Sequence, residues 1–243
     1  MRNQIKIEII RCLQDNYSYL IIDENNKNAC VVDPGESIPI IKFIEHNDIK
    51  LRYILNTHHH YDHIGGNLEL KKRYQSKIVA FEGDRDRIPE IDILVHDNQI
   101  WKADNFEAKI YYTPGHTNGH IVFHFFNEKK IFTGDTLFSL GCGRIFEGTF
   151  EQMFNSLCKI KKLPKETEIY CGHEYTLQNS NFCIQHDPEN LKLKDKVIKI
   201  KKKLKNGLPT VPTILGEEVD SNIFLKAKNI ETFSKLRDLK DNF

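Results

Sequence analysis

The chain has 243 residues, of which 40% are hydrophobic and 28% charged, a composition typical of a globular protein long enough to bury a core without disulfide bonds. With 35 lysines and arginines against 34 aspartates and glutamates, the net charge of +1 gives no sign of a nucleic-acid partner. No apolar run approaches the roughly 18 residues of a membrane span, so no membrane partner is expected.

Short β-branched and aromatic runs alternate with helical patterns over the first two-thirds of the chain. The first ten residues alternate apolar and charged side chains, which predicts a strand instead of a signal peptide, and hence a cytoplasmic protein. The cysteines form no Cys-x-x-Cys pair, which favours free thiols. Strands are predicted at residues 5–10, 17–23, 29–33, 52–56, 77–81, 109–113, 120–126, 130–133 and 168–171.

Helices are predicted at residues 37–46 and 67–74, and a third helix begins after Thr149, which has capping-box spacing with Gln152. After about residue 175 the strand signals end, and helical spacing continues in a lysine-rich segment. We therefore predict an α/β protein with two domains, residues 1–174 and a helical domain of residues 175–243. The lysine run at residues 199–203 is interpreted as a solvated helix face, because no aromatic residues interleave with it.

Residues 58–63, in the turn that follows the fourth predicted strand, include four histidines and one aspartate. Side chains two residues apart point the same way in an extended backbone, so His58 and His60 can bind one metal while His59 points elsewhere. Asp62 and His63 add a carboxylate and another imidazole after the turn. This segment therefore predicts a metal site.

Three more candidate ligands follow later predicted strands, each after a glycine that lets the backbone turn closely: His116, Asp135 and His173. Together with the first cluster they make more ligands than one tetrahedral zinc takes. Two metals fit the set. We predict the first at His58, His60 and His116, the second at Asp62, His63 and His173, and Asp135 as the bridge. Such imidazole-rich ligands suit Zn²⁺, although iron or manganese would also be accepted.

The pattern Thr-His-x-His-x-Asp-His resembles the signature of the metallo-β-lactamase superfamily, and the three later ligands match its remaining positions in the same order. The resemblance implies an αββα sandwich, with the metals at one edge. Residues 134–138, 141–149, 171–176 and 237–243 resemble the hydroxyacylglutathione hydrolase (glyoxalase II) family. This second resemblance covers essentially the whole chain. It implies a catalytic domain at residues 1–174 and a helical glutathione-binding domain at residues 175–243.

The family resemblance implies a two-zinc thioesterase that hydrolyses the small-molecule glutathione thioester S-D-lactoylglutathione to glutathione and D-lactate, the second step of methylglyoxal detoxification. We expect a monomer, with Asp62 and Asp135 as catalytic residues. The residues implied to contact glutathione are Arg144, Phe146, Tyr175, Arg237 and Lys240. Phe146 stands where many relatives have a tyrosine, so the hydrogen bond that the hydroxyl would make is lost.

Three alternatives remain open at this point. A persulfide dioxygenase shares the histidine cluster but uses one Fe(II), and it does not need the helical domain. A metallo-nuclease of the same superfamily would need a basic surface, which the near-neutral charge disfavours. A non-catalytic metal-binding or RNA-binding module would leave the full ligand set unexplained.

Overall fold

The computed structural model describes residues 5–243. The first four residues, which contribute to the cytoplasmic prediction, lie outside this range. The described chain forms two compact units: one comprises the residues up to Tyr112 together with Gly119–Glu128, and the other comprises Thr113–Asn118 and Lys129–Phe243. Within residues 5–243, no helix has both the length and the apolar character needed to cross a membrane.

The first unit contains a six-stranded sheet made of β1 (Ile5–Cys12), β2 (Asn16–Asp23), β3 (Asn28–Val32), β4 (Lys50–Leu55), β5 (Lys77–Phe81) and β6 (Ile93–Val95). The strands lie in chain order; β1, β2 and β3 are antiparallel neighbours, and β3 to β6 run parallel. Parallel strands end at the same edge of a sheet, so the residues that follow β3 and β4 lie close together. The unit also contains the antiparallel strands β7 (Ile100–Ala103), β8 (Phe106–Tyr112) and β9 (Ile121–Phe125).

Three helices belong to the first unit: α1 (Ile38–His46), α2 (Tyr61–Ile64) and α3 (Asn67–Tyr74). Their apolar faces pack on the sheet, because Ile40 and Ile44 of α1 and Leu70 of α3 share one buried cluster with Val31 and Ile54. The strands of this sheet are buried on nearly every residue of β2 and β3, as their continuous apolar sequences predict. This packing fixes the sheet edge at which the candidate ligands lie.

The second unit contains β10 (Lys130–Gly134), β11 (Leu137–Phe138), β12 (Gly141–Cys142), β13 (Glu168–Cys171) and β14 (Thr213–Ile214). Strand β10 runs parallel to β13, β13 pairs antiparallel with β14, and β11 and β12 form a short hairpin. The helices of this unit are α4 (Phe150–Lys161), α5 (Thr176–His186), α6 (Leu191–Lys205), α7 (Leu215–Ser221), α8 (Ile223–Lys226) and α9 (Ile230–Asp241).

Strongly patterned elements have the bounds that the sequence predicts. Strands β5 and β13 and helix α3 agree residue for residue. Thr149 caps α4 as predicted: its hydroxyl accepts from the N–H of Gln152 at 3.1 Å, and the Gln152 amide oxygen accepts from the N–H of Thr149 at 2.8 Å. All six cysteines are free thiols, as predicted.

Short strands were not predicted. β6 and β7 have three and four residues, too few for a period-two pattern to be recognised. The expectation that strands end near residue 175 was wrong, since β14 pairs with β13. A two-residue strand is defined by its partner and not by its own sequence.

Candidate functional site

The first unit places four predicted ligands on the turn and short helix that follow β4. The ring centroid of His58 lies 4.7 Å from that of His60 and 4.2 Å from that of His63. Atom Nε2 of His63 lies 3.5 Å from Oδ2 of Asp62. His58 and His63 are buried, whereas His60 and Asp62 are half-buried. These four side chains therefore lie together within this unit.

Asp33, which follows β3, supports this cluster. Its Oδ1 accepts a hydrogen bond from the backbone N–H of Thr57 at 2.8 Å, and its Oδ2 accepts one from the Thr57 hydroxyl at 2.6 Å. Nδ1 of His63 lies 3.1 Å from the same Oδ2. The ligand atoms of Asp33, His58 and His63 all lie within 4.8 Å of one another. Asp33 is buried, so these contacts are shielded from water.

These hydrogen bonds determine which nitrogen of each imidazole can bind a metal. The Thr57 hydroxyl donates its single proton to Asp33, so it accepts from Nδ1–H of His58 at 3.0 Å. An ionised carboxylate only accepts, so Asp33 also requires a proton on Nδ1 of His63. Both rings therefore present the Nε2 lone pair as the ligand atom. A carboxylate partner orients metal-binding histidines in this way in other proteins.

Two further contacts orient Asp62. The Asn16 amide donates to Oδ2 of Asp62 at 2.9 Å and to its carbonyl oxygen at 3.1 Å. Gly35 comes so close that a Cβ at this position would lie 2.3 Å from the Asp62 carbonyl oxygen. Only a glycine allows this approach, which holds the loop after β3 against α2.

The ring of His59 faces a different carboxylate. Its Nδ1 lies 3.6 Å from Oδ2 of Asp84, which is fully buried. Oδ1 of Asp84 accepts a hydrogen bond from Arg87. Gly119 packs on the same carboxylate, since a Cβ there would lie 1.8 Å from Oδ1. His59 therefore belongs to the cluster around Asp84.

The second unit brings its three predicted ligands together, with His116 and His173 beside Asp135, which follows β10. Oδ2 of Asp135 lies 3.5 Å from Nε2 of His116 and 3.3 Å from Nε2 of His173. All three side chains are buried. The parallel pairing of β10 and β13 explains why Asp135 and His173 lie at one edge.

The backbone orients the ring of His116. Its Nδ1–H donates to the carbonyl oxygen of Arg144 at 2.7 Å, because a carbonyl can only accept. Nε2 therefore presents its lone pair towards Asp135. Gly143 makes this arrangement possible, since a Cβ there would lie 1.9 Å from the carbonyl oxygen of Asp135 and 3.2 Å from Nδ1 of His116.

The spacing of these donor atoms fits bound metal ions. Zn²⁺ with bonds of about 2.0–2.1 Å to nitrogen and oxygen in tetrahedral geometry has ligand atoms roughly 3.3–3.5 Å apart. The Nε2–Oδ2 separations are 3.5 Å in the first unit and 3.3 and 3.5 Å in the second. A shared cation relieves the repulsion between acceptor atoms at such distances. Imidazole and carboxylate donors suit Zn²⁺, and also iron and manganese. The residues present therefore fit a metal cofactor.

A cavity of about 360 Å³ in the second unit is lined in part by His116 and Asp135. Sites for small molecules commonly have volumes of about 300–1,000 Å³. All five residues predicted to contact substrate also line this cavity: Arg144, Phe146, Tyr175, Arg237 and Lys240. Its wall therefore combines two predicted metal ligands with three basic side chains, a combination that suits an anionic ligand.

Aromatic rings pack on two of the predicted ligands. The ring of Tyr175 stacks on His173, with centroids 4.6 Å apart and an angle of 4° between the planes. The ring of Phe146 meets His116 nearly edge-on at 5.2 Å. Phe146 is 62% exposed, so its outer face remains available to a ligand in the cavity.

The two arginines of the cavity differ in their surroundings. Arg237 is buried; its Nε and Nη2 donate to Oδ1 of Asp241 at 3.1 and 2.8 Å, and its Nη1 donates to the carbonyl oxygen of Cys142 at 2.8 Å. Arg144 is exposed, and its Nε lies 3.8 Å from the same oxygen of Asp241. Arg144 is thus the arginine with freedom to reorient towards a ligand, whereas Arg237 is fixed in the cavity wall.

Lys240 is held at the wall by two aromatic rings. Its Nζ lies 5.4 Å from the ring centroid of Phe182 and 4.9 Å from that of Phe243, within cation–π distance. Burial lowers the pKa of Lys240 from its ordinary value, and the nearby charge of Arg237 lowers it further. The ammonium group is therefore placed at a defined point of the cavity.

The sequence analysis missed Asp33, Asn16 and Asp241. Asp33 had a usable signal, because it is the last residue of a predicted strand and precedes a glycine by two residues, and Asp135 likewise lies at the end of a strand next to a glycine. Asn16 acts on a residue 46 positions away, and no local pattern indicates that contact. Asp241 acts on Arg237 at helical spacing, but such pairs are common on exposed helix faces.

Two family models match adjacent parts of the chain. Residues 14–173 match the metallo-beta-lactamase superfamily, and residues 174–243 match the hydroxyacylglutathione hydrolase C-terminus. The first match includes all seven predicted metal ligands. The second includes Tyr175, Arg237 and Lys240.

Curated relatives align with almost the entire chain. A hydroxyacylglutathione hydrolase of Pelagibacter ubique is 62% identical over 239 residues, which cover 98% of this chain and 100% of the relative. A hydroxyacylglutathione hydrolase of Methylococcus capsulatus is 39% identical over 253 residues, which cover 98% of this chain and 99% of the relative.

Solved structures are similar to this chain at low sequence identity. BLEG-1 B3 metallo-beta-lactamase has a TM-score of 0.72 at 21% identity, and the match covers 91% of this chain and 100% of that one. ETHE1 from Myxococcus xanthus has a TM-score of 0.73 at 23% identity, and the match covers 97% of this chain and 90% of that one. At these identities the similarity concerns the fold alone. It confirms the predicted α/β class and αββα fold, and the second family match agrees with the helical C-terminal region.

Proposed function

The chain belongs to the hydroxyacylglutathione hydrolase family of the metallo-β-lactamase superfamily, and from this premise we infer which residues perform the family's reaction. Its activity is the hydrolysis of S-(2-hydroxyacyl)glutathione to glutathione and a 2-hydroxy acid. We propose S-D-lactoylglutathione as the substrate, and a monomer acting in the cytoplasm.

The cavity of the second unit supports the substrate proposal most directly. Arg144 and Lys240 lie on the same cavity wall as Asp135. Glutathione has two carboxylates, and hydrogen bonds from arginine and lysine to carboxylates are among the strongest in proteins. Binding of these carboxylates by the two cations would direct the thioester end of the substrate towards Asp135.

We assign two Zn²⁺ ions to the seven predicted ligands: His58, His60, Asp62, His63, His116, Asp135 and His173. The superfamily match includes all seven, and the donor-atom spacing within each unit supports the assignment. When bound, the ions polarise the thioester carbonyl and lower the pKa of water towards about 7. Asp62 and Asp135 are assigned as catalytic residues because they would hold these ions.

The other roles belong to side chains that orient ligands or bind glutathione. Asp33 keeps a proton on Nδ1 of His63, so Nε2 remains a metal ligand. Phe146 supplies packing surface to the glutathione peptide without a hydrogen-bond donor. Tyr175 and Arg237 complete the wall of the cavity.

Bond cleavage needs neither a general acid nor a protein nucleophile. A thiolate leaving group with a pKa of about 8.5–9 can depart without prior protonation. Cys142 lines the cavity, but burial raises the pKa of its thiol, so it stays protonated at neutral pH. A neutral thiol does not compete with water for the carbonyl carbon.

Two other activities of the superfamily are not favoured. A persulfide dioxygenase or a metallo-nuclease would not explain 62% identity over the whole chain to a hydroxyacylglutathione hydrolase. Neither would explain the match of residues 174–243 to the C-terminal region of that family.

The test is hydrolysis of S-D-lactoylglutathione, followed as loss of thioester absorbance, with metal analysis of the same sample. We expect turnover with about two zinc ions per chain, loss of turnover on chelation and recovery with added Zn²⁺. A lactoyl thioester of a small neutral thiol is the matched control, and its KM should be higher because it lacks the carboxylates. Oxygen consumption with glutathione persulfide by a protein with a single iron, without thioester hydrolysis, would contradict the proposal.

A further inference from the structure

The hairpin of β11 and β12 forms part of the wall of the cavity. It begins two residues after Asp135 and contributes Phe138 and Cys142 to the lining. The ring of Phe138 lies nearly edge-on to Tyr175 at 5.4 Å and to His173 at 6.1 Å. A shift of this hairpin would therefore move both the cavity wall and a ring that packs on a predicted metal ligand.

Side chains of the C-terminal helices hold the turn of this hairpin. Three successive backbone carbonyls of the turn accept side-chain hydrogen bonds: Ser139 from Asn179 at 3.2 Å, Leu140 from Cys183 at 3.1 Å and Gly141 from Asn222 at 3.1 Å. The turn needs external support, because Leu140 has a φ of +57°, a left-handed conformation that a leucine rarely adopts.

Glu218 of α7 binds a backbone N–H of the same turn, that of Leu140. Its Oε2 accepts from the N–H of Leu140 at 2.8 Å and from the Asn222 amide at 3.1 Å. Its Oε1 accepts from the ammonium of Lys196 at 2.6 Å and from the Thr213 hydroxyl at 2.7 Å. The carboxylate is fully buried, and both of its oxygens are paired with donors.

A buried ion pair of this kind is weak evidence for a role in stability. Replacing such a pair with apolar side chains of similar volume is often neutral or stabilising, because both charges lose their hydration on burial. The distinctive feature of Glu218 is the direction of its hydrogen bond to Leu140. Glu217, the preceding residue of α7, also approaches Lys196, at 3.6 Å, but its side chain is 51% exposed.

We propose that Glu218 is a positioning residue of the substrate site, acting through the β11–β12 hairpin. The inference rests on the proposed function. The Glu218 carboxylate, neutralised by Lys196, fixes the Leu140 turn and thereby the positions of Phe138 and Cys142 in the cavity wall. The C-terminal helices thus shape the wall that glutathione contacts, in addition to providing Arg237 and Lys240.

The test compares Glu218→Gln with the matched control Glu217→Gln. A second variant, Glu218→Leu with Lys196→Met, replaces the ion pair with apolar side chains and keeps the packing even if the single change destabilises the fold. Three quantities are measured for each protein: KM and kcat for S-D-lactoylglutathione, bound zinc, and amide hydrogen exchange of peptides that cover residues 137–142 and α4.

Glu218→Gln and the double variant should each raise KM about tenfold or more, because a displaced wall loses contacts with the part of glutathione that does not react, and such contacts are similar in the ground and transition states. The kcat should change less than about threefold and the zinc content should be unchanged, since the ligands are not altered. Exchange should become faster at residues 137–142 and remain slow in α4. The control Glu217→Gln should match the wild type in all three measurements.

A purely structural role predicts a different result. The folded fraction and kcat would then fall together with KM unchanged, or a stable double variant would keep wild-type KM and wild-type exchange at the hairpin. Either result overturns the inference. If the wild type itself fails to hydrolyse the thioester, the proposed function is wrong. The exchange measurement then still decides whether Glu218 holds the hairpin, independently of turnover.

Discussion

Asp33→Asn should weaken metal binding although Asp33 is not among the assigned ligands. The change keeps the size of the side chain but replaces one carboxylate oxygen with an NH₂ group. In the wild type, Oδ2 accepts from the Thr57 hydroxyl at 2.6 Å and pairs with Nδ1 of His63 at 3.1 Å. An amide that donates at this position requires Nδ1 of His63 to accept, which moves the ring proton to Nε2. Nε2 of His63 would then have a proton and no lone pair available to bind the metal.

The size of the effect follows from this change of tautomer. Loss of a hydrogen-bond partner that orients a metal-binding histidine typically lowers metal affinity or activity about 10–100-fold. This corresponds to about 1.4–2.8 kcal/mol of binding free energy. This loss of binding free energy is smaller than the combined free energy of the two hydrogen bonds to the Asp33 carboxylate, since a hydrogen bond to a charged group contributes about 1.5–3 kcal/mol. The rest of the ligand set remains, so binding should be weakened and not abolished.

The assay is competition for Zn²⁺ against a chromogenic chelator, together with kcat/KM for the thioester and the melting temperature of the zinc-loaded protein. Asp48→Asn is the matched control, because Asp48 is exposed and both aspartates have a positive φ, 46° at Asp33 and 51° at Asp48. Asparagine tolerates that conformation, so backbone strain is equal in the two variants. Wild-type zinc affinity in a folded Asp33→Asn protein would refute the tautomer argument.

The remaining predictions concern a metal ligand, a substrate contact and acid stability. Asp135→Ala removes the oxygen that both His116 and His173 approach, so metal analysis should find at least one ion lost and turnover reduced about 10²-fold. Lys240→Ala should raise KM about tenfold with unchanged zinc. Because burial lowers the pKa of Lys240, this side chain should lose its charge at a lower pH than an ordinary lysine does. The wild-type KM should therefore begin to rise at that lower pH, and Lys240→Arg should remove the rise. Burial, with a smaller effect of Lys109, lowers the pKa of His124 to about 4 in the folded protein. In the unfolded chain this histidine binds a proton at about pH 6.5, so the free energy of unfolding falls as the pH decreases from about 6.5 to about 4. His124→Phe should reduce the loss of unfolding free energy between pH 7 and 5 by about 1–2 kcal/mol in urea titrations.

The candidate ligands could be predicted from the sequence because their chemistry is concentrated locally. Histidines and aspartates that recur at the ends of apolar runs are uncommon by chance, and strand periodicity separates His58 and His60 from His59. Local signals also placed β5, β13, α3 and the Thr149 cap of α4. In each case the information lies within about ten residues of the chain.

The groups that orient these ligands could not be predicted in the same way. Asp33 reaches Thr57 only because β3 and β4 are parallel neighbours, and Asn16 reaches Asp62 across 46 positions of sequence. The difference between Arg144 and Arg237 has the same origin. Both are basic residues in a family motif, but burial and the carboxylate of Asp241 fix only Arg237 in the wall. Such differences depend on tertiary packing, which the sequence pattern of a single segment does not reveal.

The buried pair of Lys196 and Glu218 could be predicted from the sequence only in part. In α6, Lys196 falls on the apolar stripe of Leu193, Val197 and Ile200, and in α7, Glu218 lies one turn after the buried Leu215. A charged residue at an apolar position of an amphipathic helix must either extend to solvent or meet an opposite charge inside. Two such exceptions of opposite sign in neighbouring helices therefore suggest a buried pair even from the sequence. The group that the pair holds, the backbone N–H of Leu140, lies 78 residues from Glu218, and only the folded chain reveals it.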